Sequence, residues 1–402
     1  MLPLKIACFV VCVSVVFVYF YTPVPDGMNE DDRWILRKIF ALSQAGKVVA
    51  RLGALVGYDS AINITRSFRN SRFAFVHPDN YALDSTNYDF EGVNVTVHRR
   101  PRAKDAKELD AAFVYIHGGG WAYEYREIYA ILERYIAQHA DVAVVAIQYP
   151  LAPENPYPKP MLACYNSVLY LHQHAQRLGI DPQRISIGGD SAGGNLAASV
   201  TLKLRDTGHT FLQRQILLSP ALQFATFRLD SYEQNDRYGI LPRRDMILFW
   251  LHYMHEGIQF INELTFNEHL SPRITQGKIW PVLQKYQQFP QSHVKIDEKV
   301  VKNWEKKLLD PYLCPMFADT LKGLPPTVIL ISEFDILRDE ALAYADRLKA
   351  DGVETKVVRT PGFHGLYCFS RDSKVGAQMA DAVVSFLKTP VPAQQNHAES
   401  SR

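Results

Sequence analysis

The sequence predicts an α/β protein built around a mostly parallel β-sheet with helices on both faces. Short, nearly continuous apolar segments rich in β-branched residues recur along the chain, and helical segments separate several of them. Strands that are buried on both faces lose the alternation of inward and outward residues, so this pattern indicates parallel pairing in a layered α/β domain. Strands are expected at residues 111–116, 142–147, 185–187, 216–218, 328–331 and 355–358, and helices at 157–178, 194–206, 339–351 and 375–388.

One block interrupts this alternation. Residues 240–312 carry little strand signal and include a basic, polar stretch, which predicts a helical cap inserted between two strands. The expected parts of the chain, in order, are a membrane anchor (1–22), a linker with a cap helix (23–89), the first part of the main domain (90–239), the cap insertion (240–312), the second part of the main domain (313–390) and a polar tail (391–402).

The first 22 residues differ in composition from the rest of the chain. Between Leu4 and Tyr21 the only charged residue is Lys5, and about 17–25 apolar residues suffice to cross a bilayer. A cleaved signal peptide also has an apolar core after a basic start. However, this run ends in bulky aromatic residues rather than small ones, and such residues suit a membrane interface. We therefore interpret the segment as an uncleaved membrane anchor.

Residues 31–56 predict an amphipathic helix, because apolar side chains recur there at helical spacing. The interpretation that we favour is that this apolar stripe packs on the main domain. A second interpretation is that it lines an acyl or aromatic pocket close to the membrane. The stripe consists of Trp34, Ile35, Ile39, Phe40, Leu42, Val48, Val49, Leu52 and Leu55.

Composition argues against several function classes. The 402 residues include 44 Lys and Arg against 42 Asp and Glu, and the net charge of +2 gives no electrostatic reason to expect a nucleic-acid partner. The sequence shows no internal repeat or long low-complexity tract, which argues against solenoids and disordered scaffolds. Cys164, Cys314 and Cys368 lie beyond the N-terminal run, and three thiols allow at most one disulfide among them.

A candidate nucleophile is Ser191, the central residue of Gly189-Asp190-Ser191-Ala192-Gly193. This segment fits the pattern Gly-x-Ser-x-Gly, in which small flanking residues let a serine occupy a sharp turn between a strand and a helix. Serine flanked by glycines also occurs in ordinary turns. Here a predicted strand precedes the segment and a predicted helix follows it, so we interpret Ser191 as a nucleophile.

Residues 117–121 read His-Gly-Gly-Gly-Trp and follow another predicted strand. A serine that attacks a carbonyl generates an oxyanion, which backbone N–H groups must stabilise. Glycines allow the backbone to approach a substrate closely. We predict that Gly118 and Gly119 donate to the oxyanion together with the amide of Ala192, and that His117 braces this oxyanion loop. The alternative is a flexible surface loop.

A serine nucleophile needs a general base and an acid that orients the base, and in this kind of fold the chain order is serine, acid, histidine. The predicted strand 328–331 leads to Asp335, for which Glu333 and Asp339 are competitors. We prefer Asp335, because Glu333 still belongs to the strand end and Asp339 is expected to cap the next helix. His364 follows the last predicted strand and is the candidate base.

Three motifs together resemble the hormone-sensitive-lipase family of α/β-hydrolases: His-Gly-Gly-Gly at 117–120, Tyr-Pro-Leu-Ala-Pro-Glu at 149–154 and Gly-Asp-Ser-Ala-Gly at 189–193. The apolar N-terminus narrows the resemblance to the arylacetamide deacetylase and neutral cholesterol ester hydrolase branch, over essentially the whole chain. The segment 335–339, Asp-x-x-Arg-Asp, resembles the acid motif of the family and supports Asp335. The resemblance implies an α/β-hydrolase fold and a type II membrane protein of the endoplasmic reticulum that hydrolyses lipophilic carboxylic esters, and in some members arylamides.

Two positions depart from the family pattern. Ala122 stands where arylacetamide deacetylases often carry a cysteine, so a disulfide in the oxyanion loop is not implied for this chain. Pro150 stands where many relatives have arginine, so the contacts of that strand end are not carried over either.

The expected function is that of a membrane-anchored serine carboxylesterase that acts by two-step acyl transfer through Ser191, His364 and Asp335. No metal or organic cofactor is expected, since no group of ligands at metal spacing is present in the sequence. The alternative is a non-catalytic binding or receptor protein on the same fold. The presence of all three triad residues argues against that alternative.

Two sequons bear on the orientation of the anchor. Positive charges lie on both sides of the N-terminal run, so they give only a weak orientation signal. Asn63 and Asn94 each begin an Asn-x-Thr tripeptide and are the predicted glycosylation sites. Both favour a domain on the lumenal side of the membrane.

Overall fold

The computed structural model describes residues 16, 19–55, 57, 60–70, 81–102, 108–238, 241–288 and 298–390. Within this part of the chain eight strands form a single sheet in the order β1-β2-β4-β3-β5-β6-β7-β8. The strands are β1 (Asp84–Phe90), β2 (Val93–Arg99), β3 (Asp110–Ile116), β4 (Val142–Gln148), β5 (Ile180–Asp190), β6 (Leu212–Leu218), β7 (Thr327–Phe334) and β8 (Thr355–Phe363).

Strands β3 to β8 pair in parallel, whereas β1 and β2 form an antiparallel hairpin and β2 also pairs antiparallel with β4. The carboxyl ends of the parallel strands therefore lie at one edge of the sheet, which is where open α/β sheets place their ligands. The segments that follow β3, β5, β7 and β8 meet at this edge.

Helices cover both faces of the sheet. The side chains of β3 show the two faces, because Phe113 and Tyr115 belong to one buried cluster while Val114 and Ile116 belong to the other. The first cluster is completed by α3 (Arg126–Ala140) and α13 (Lys374–Lys388). The second is completed by α4 (Lys159–His174), α5 (Ala192–Asp206) and α12 (Arg338–Ala350).

All six strands predicted from the sequence are confirmed, and so is the mostly parallel α/β sheet. The hairpin of β1 and β2 was not predicted, because β1 reads Asp-Ser-Thr-Asn-Tyr-Asp-Phe and is largely exposed at the edge of the sheet. The predicted boundary between the N-terminal linker and the main domain, which was expected between residues 89 and 90, consequently falls inside β1. Helix α3 was not predicted either.

The described residues between β6 and β7 contain helices and no strand. These helices form a cap over the carboxyl edge. Its helix α7 contacts the oxyanion loop, since Trp121 stacks on Tyr253 with ring centroids 4.5 Å apart. The cap helices are α6 (Asp230–Asn235), α7 (Arg243–Tyr253), α8 (Ile261–Thr265), α9 (Pro272–Thr275), α10 (Trp280–Gln284) and α11 (Glu298–Leu308).

Two N-terminal helices, α1 (Glu30–Leu55) and α2 (Ala61–Asn70), also lie over this edge. An ion pair of 2.5 Å between Lys47 of α1 and Asp245 of α7 joins the first of them to the cap. The prediction that the apolar stripe of α1 packs on the main domain is correct only in part. Ile35 is buried, whereas Trp34 and Leu52 are each about half exposed.

No helix in the described ranges is long and apolar enough to cross a membrane. Most of the run predicted as the anchor, including residues 1–15, lies outside the described residues, as does the predicted tail at 391–402. Cys164, Cys314 and Cys368 are buried and each is a free thiol, so the disulfide that the sequence allowed among them is not formed.

Candidate active site

Ser191 occupies a strained turn between β5 and α5, with φ 53° and ψ −119°. A non-glycine residue in such a conformation costs about 1–3 kcal/mol, which the surrounding hydrogen bonds must offset. The N–H of Ser191 donates to the carbonyl of Leu218 at 2.9 Å, and its own carbonyl accepts from Ala221 at 3.1 Å. A Cβ atom on Gly193 would collide with the carbonyl oxygen of Ile116, which explains the glycine of the motif.

His364 and Asp335 are brought together by the ends of the two last strands. Asp335 follows β7 and His364 follows β8, and the Nδ1 of His364 lies 2.8 Å from the Oδ2 of Asp335. The second carboxylate oxygen of Asp335 accepts from the N–H of Leu337 at 2.9 Å, and its side chain is only 1% exposed. The carboxylate is therefore held in one orientation against the imidazole.

The two competing acids have other partners. Glu333 is partly exposed and pairs with Arg359 at 2.9 Å. Asp339 accepts from the N–H of Ser231 at 2.6 Å and pairs with the neighbouring Arg338. The prediction that Asp339 caps the following helix is wrong, because the N-cap position of α12 is Leu337.

Ser191 and His364 line one cavity of about 150 Å³. Much of its remaining wall is apolar. The carboxyl edge of the sheet, the cap and α1 all contribute to this wall, so a substrate bound there would be shielded from water on several sides. The apolar and aromatic wall residues include Ile39, Leu42, Tyr125, Ile128, Tyr129, Leu241, Phe249 and Phe369.

The pKa of His364 results from opposing effects. Burial disfavours the imidazolium, but the charge of Asp335 and the hydrogen bond to it favour that form, with a smaller contribution from Asp190. The net effect raises the pKa of His364 above its ordinary value. The pair is thus arranged to stabilise a histidine that has accepted a proton.

The oxyanion loop differs in one respect from the prediction. The N–H of Gly118 donates to the Oδ1 of Asp190 at 2.8 Å, so the prediction that Gly118 serves an oxyanion is wrong in this geometry. Gly119 and Gly120 line the cavity instead, with φ values of 100° and 62°. A Cβ atom at Gly119 would collide with the carbonyl of Tyr123. Gly120 was missed, although it is the third glycine of the same motif.

His117 does not line the cavity. Its ring stacks on Tyr149 with centroids 4.4 Å apart, and its Nδ1 lies 2.8 Å from the carbonyl of Gly118. The hydroxyl of Tyr149 donates to the carbonyl of His117 at 2.9 Å. This arrangement agrees with the bracing role predicted for His117. Ala192 begins α5 directly after the serine.

Asp190 is a buried carboxylate that sequence reasoning did not single out. Besides Gly118, it accepts from the hydroxyls of Tyr115 at 2.7 Å and Tyr367 at 3.0 Å. Burial raises the pKa of Asp190, and the two tyrosine hydrogen bonds oppose this effect. The residue before Ser191 thereby connects β3, the oxyanion loop and the segment after His364.

Arg66 of α2 is a second residue that the sequence did not reveal. Its Nε donates to the carbonyl of Ala122 at 2.9 Å, and one of its terminal nitrogens donates to the carbonyl of Ala152 at 2.7 Å. The guanidinium also pairs with Glu154 at 2.7 Å and lowers the pKa of that carboxyl. Arg66 therefore joins the end of the oxyanion loop to the segment after β4.

The two predicted glycosylation sites lie on different elements. Asn63 is half-buried on α2, and its Oδ1 accepts from Arg66 at 3.3 Å. Asn94 is exposed on β2. As for metals, the described residues contain no cluster of three or more His, Cys, Asp or Glu side chains placed to hold an ion.

A family model described as alpha/beta hydrolase fold matches residues 113–267 and 273–367, which is more than half of the chain. The chain belongs to the alpha/beta hydrolase family. This α/β-hydrolase is 30% identical to arylacetamide deacetylase of Bos taurus over 386 residues, which cover 92% of the chain and 95% of the relative. It is also 30% identical to neutral cholesterol ester hydrolase 1 of Bos taurus over 394 residues, with the same coverage.

Solved structures show the same architecture. A mutant of the esterase rPPE is 25% identical to this α/β-hydrolase with a TM-score of 0.68, and the match covers 92% of the chain and 98% of that structure. An esterase from Pyrobaculum calidifontis, 24% identical with a TM-score of 0.63 over 85% of the chain and 97% of its own, supports the fold alone. The predicted branch of the family is confirmed, and so is the predicted enzyme class, a serine carboxylic ester hydrolase.

Proposed function

We propose that this α/β-hydrolase is a membrane-anchored carboxylesterase for lipophilic esters, with Ser191 as nucleophile, His364 as general base and Asp335 as the acid that orients the base. The observation that carries the proposal is the 2.8 Å contact between His364 and Asp335 at the cavity that Ser191 also lines. A serine with a paired histidine and carboxylate is the constellation for acyl transfer.

The proposed reaction has two steps. His364 takes the proton of the Ser191 hydroxyl while the serine oxygen attacks the ester carbonyl, and Asp335 stabilises the imidazolium that forms. The oxyanion receives hydrogen bonds from the N–H groups of Gly119, Gly120 and Ala192. The C–O bond to the alcohol then breaks, and His364 returns its proton to the departing alcohol.

The second step regenerates the enzyme. A water molecule loses a proton to His364 and attacks the acyl-serine, and the acyl–oxygen bond breaks as Ser191 recovers its proton. The products are the free acid and the alcohol. No residue outside the chain is needed for this sequence of proton transfers.

A lipophilic substrate suits the apolar wall of the cavity. It also agrees with the names of the relatives, which refer to arylacetamides and to cholesterol esters. To test the substrate class, the purified full chain is assayed with esters whose acyl chains have about two to sixteen carbons, and with matched arylamides. We expect longer and aromatic acyl groups to be preferred; equal rates across the ester series would contradict a lipophilic specificity.

We also propose the location inferred from the sequence, an anchor at residues 1–22 with the catalytic domain in the lumen of the endoplasmic reticulum. Asn94 is exposed on the folded domain, as an acceptor of a glycan must be. In cells, Asn63→Gln and Asn94→Gln are each expected to increase gel mobility, and protease added to sealed microsomes is expected to leave the domain intact. Digestion of the domain in sealed vesicles would place it on the cytosolic side.

A further inference from the structure

The exposed apolar side chains of the protein are concentrated at its N-terminal end. Of the eleven large apolar side chains that are exposed in the described part of the chain, eight lie between Val16 and Leu55. Scattered exposed apolar residues are normal on a protein surface, but a contiguous group of them marks an interaction site. The eight are Val16, Phe20, Tyr21, Trp34, Val48, Val49, Leu52 and Leu55.

Five of these side chains share one face of α1. Val48, Leu52 and Leu55 follow one another at helical spacing, and Trp34 lies on the same line near the start of the helix. We call this surface, formed by Trp34, Val48, Val49, Leu52 and Leu55, the outer face of α1. The opposite side of the helix contributes Ile39 and Ser43 to the catalytic cavity.

The outer face continues into the segment at the end of the predicted anchor. Tyr19 packs edge-on against Trp34 with ring centroids 5.2 Å apart. The charged ends of Arg37 and Lys38 lie over these rings, at 5.9 Å from Tyr19 and 4.7 Å from Trp34. Aromatic rings beside long basic side chains are typical of protein surfaces at the boundary between acyl chains and headgroups.

A groove with almost wholly apolar walls lies between this segment and α1, and its lining includes Val16, Phe20, Trp34 and Leu42. Leu42 lines the catalytic cavity as well. One leucine side chain is therefore a wall of both spaces. An acyl chain in the groove would be separated from the cavity of Ser191 by that side chain.

We propose that the outer face of α1 lies in the acyl region of a lipid bilayer, and that bilayer-borne esters reach the catalytic cavity past Leu42. The inference rests on the proposed function, since it gives the route by which that site receives its substrate. A helix with an apolar face and flanking basic residues lies in the plane of a membrane interface. The run of apolar residues that precedes Tyr21 would hold α1 against the same bilayer.

Tryptophan fluorescence gives a direct test, because Trp34 is 50% exposed while the other four tryptophans are at most 3% exposed. The full chain is reconstituted in phosphatidylcholine vesicles with and without bromine on the acyl chains, which quenches tryptophan in contact with them. We expect quenching of the native protein, and we expect Trp34→Phe to abolish it. Absence of quenching in the native protein would overturn the proposal.

A second tryptophan, placed further along α1, tests whether quenching of Trp34 results only from its closeness to the anchor. In the Trp34→Phe background, Leu52→Trp places a tryptophan about 27 Å further along the helix at 1.5 Å per residue. This variant is expected to be quenched, because the whole outer face contacts lipid. Lys349→Trp in the same background, exposed at the end of α12 and at the opposite edge of the sheet, is expected not to be quenched. Quenching at Trp34 without quenching at Leu52→Trp would overturn the proposal.

Kinetics separate this proposal from the proposed function. The double variant Val48→Asp, Leu52→Asp is expected to lower the rate on a long-chain ester in the vesicles by about tenfold or more. The reason is that two charges on the outer face oppose its insertion into the acyl region of the bilayer. The rate on a short water-soluble ester is expected to stay unchanged. The matched control is Ile258→Asp with Phe266→Asp, two exposed apolar residues of the cap.

The two ideas fail in different ways. If the native protein hydrolyses both esters and the Val48→Asp, Leu52→Asp variant keeps the full rate on the bilayer-borne ester, the route proposed here is wrong and the esterase assignment stands. If the native protein hydrolyses neither ester, the esterase assignment itself is wrong.

Discussion

The backbone N–H of Gly118 donates a 2.8 Å hydrogen bond to the Oδ1 of Asp190, the residue directly before Ser191. The oxyanion loop is thereby fixed to the end of the strand that leads to Ser191, the proposed nucleophile. Tyr115 and Tyr367 donate to the same buried carboxylate, so it serves three donors at once. The position of Gly119 and Gly120 relative to the serine therefore depends on Asp190.

Asp190→Ala is expected to lower both the melting temperature and kcat, because a buried donor left without a partner costs about 1–3 kcal/mol. Asp190→Asn retains an oxygen that can accept from Gly118 and Tyr115, and its amide can donate to the hydroxyl of Tyr367. We expect the melting temperature and kcat to fall much less in Asp190→Asn than in Asp190→Ala. Thermal unfolding and turnover of a short ester measure the difference, and equal behaviour of the two variants would contradict the role assigned to this carboxylate.

Asp335→Asn is expected to reduce kcat by about 10⁴-fold with normal folding, because an amide favours the wrong tautomer of His364. Glu333→Gln serves as the matched control, since Glu333 lies at the end of β7, two residues before Asp335, and pairs with Arg359 instead of His364. We expect it to change kcat by less than about threefold, in keeping with the small contribution of a partly exposed ion pair. A larger loss for Glu333→Gln than for Asp335→Asn would show that the acid has been assigned to the wrong residue.

The pH dependence follows from the raised pKa of His364. The histidine must be neutral to accept the serine proton, so activity is lost as the pH falls through its pKa. Because that pKa is raised above the ordinary value of 6.5, the acid limb of kcat/KM is expected to have its midpoint above that value. In Asp335→Asn the main favourable charge is gone, and the midpoint of the residual activity is expected to move to lower pH. An acid limb that is the same in both proteins would contradict this origin of the shift.

Arg66 is a positioning residue for the oxyanion loop, through its hydrogen bonds to Ala122 and Ala152. Removing one oxyanion donor lowers kcat by about 10²–10³-fold, and displacing the loop is expected to remove part of that stabilisation. Arg66→Ala is therefore expected to lower kcat by about 10–100-fold with little change in KM. Arg66→Lys is expected to restore little, because an ammonium group lacks the forked geometry of the guanidinium.

The control for Arg66 is Arg184→Ala, which removes an exposed ion pair with Asp181 at the start of β5. We expect it to leave kcat and KM unchanged. A raised KM at unchanged kcat in Arg66→Ala would indicate a contact with the substrate rather than a role in positioning the loop.

The parallel sheet and the convergence of the three proposed triad residues were predictable for a common reason. The strands β3 to β8 carry strong apolar signals, and Ser191, Asp335 and His364 each follow one of them, so strand order alone indicates that they meet. The edge hairpin was missed because β1 is polar and exposed.

Other parts of the site depend on contacts that sequence patterns do not contain. Gly118 and Asp190 are 72 residues apart, and Arg66 and Glu154 are 88 residues apart. Neither pair belongs to a periodic pattern. The apolar stripe of α1 illustrates a different difficulty. Periodicity identifies an apolar face, but it does not show whether that face packs on the protein or contacts something else. The structure leaves Trp34 and Leu52 of this stripe exposed.

The central claim is that Ser191 is the nucleophile, and the most direct measurement is fluorophosphonate labelling of the full chain together with hydrolysis of a short soluble ester. Ser199→Ala is the matched control, since Ser199 is also buried on α5 and its hydroxyl has no hydrogen-bond partner among the described residues. We expect the native protein and Ser199→Ala to be labelled and active, and Ser191→Ala to be folded but neither labelled nor active. Labelling of Ser191→Ala, or hydrolysis within about tenfold of the native rate, would contradict the assignment, because loss of a triad nucleophile costs about 10⁶-fold in kcat.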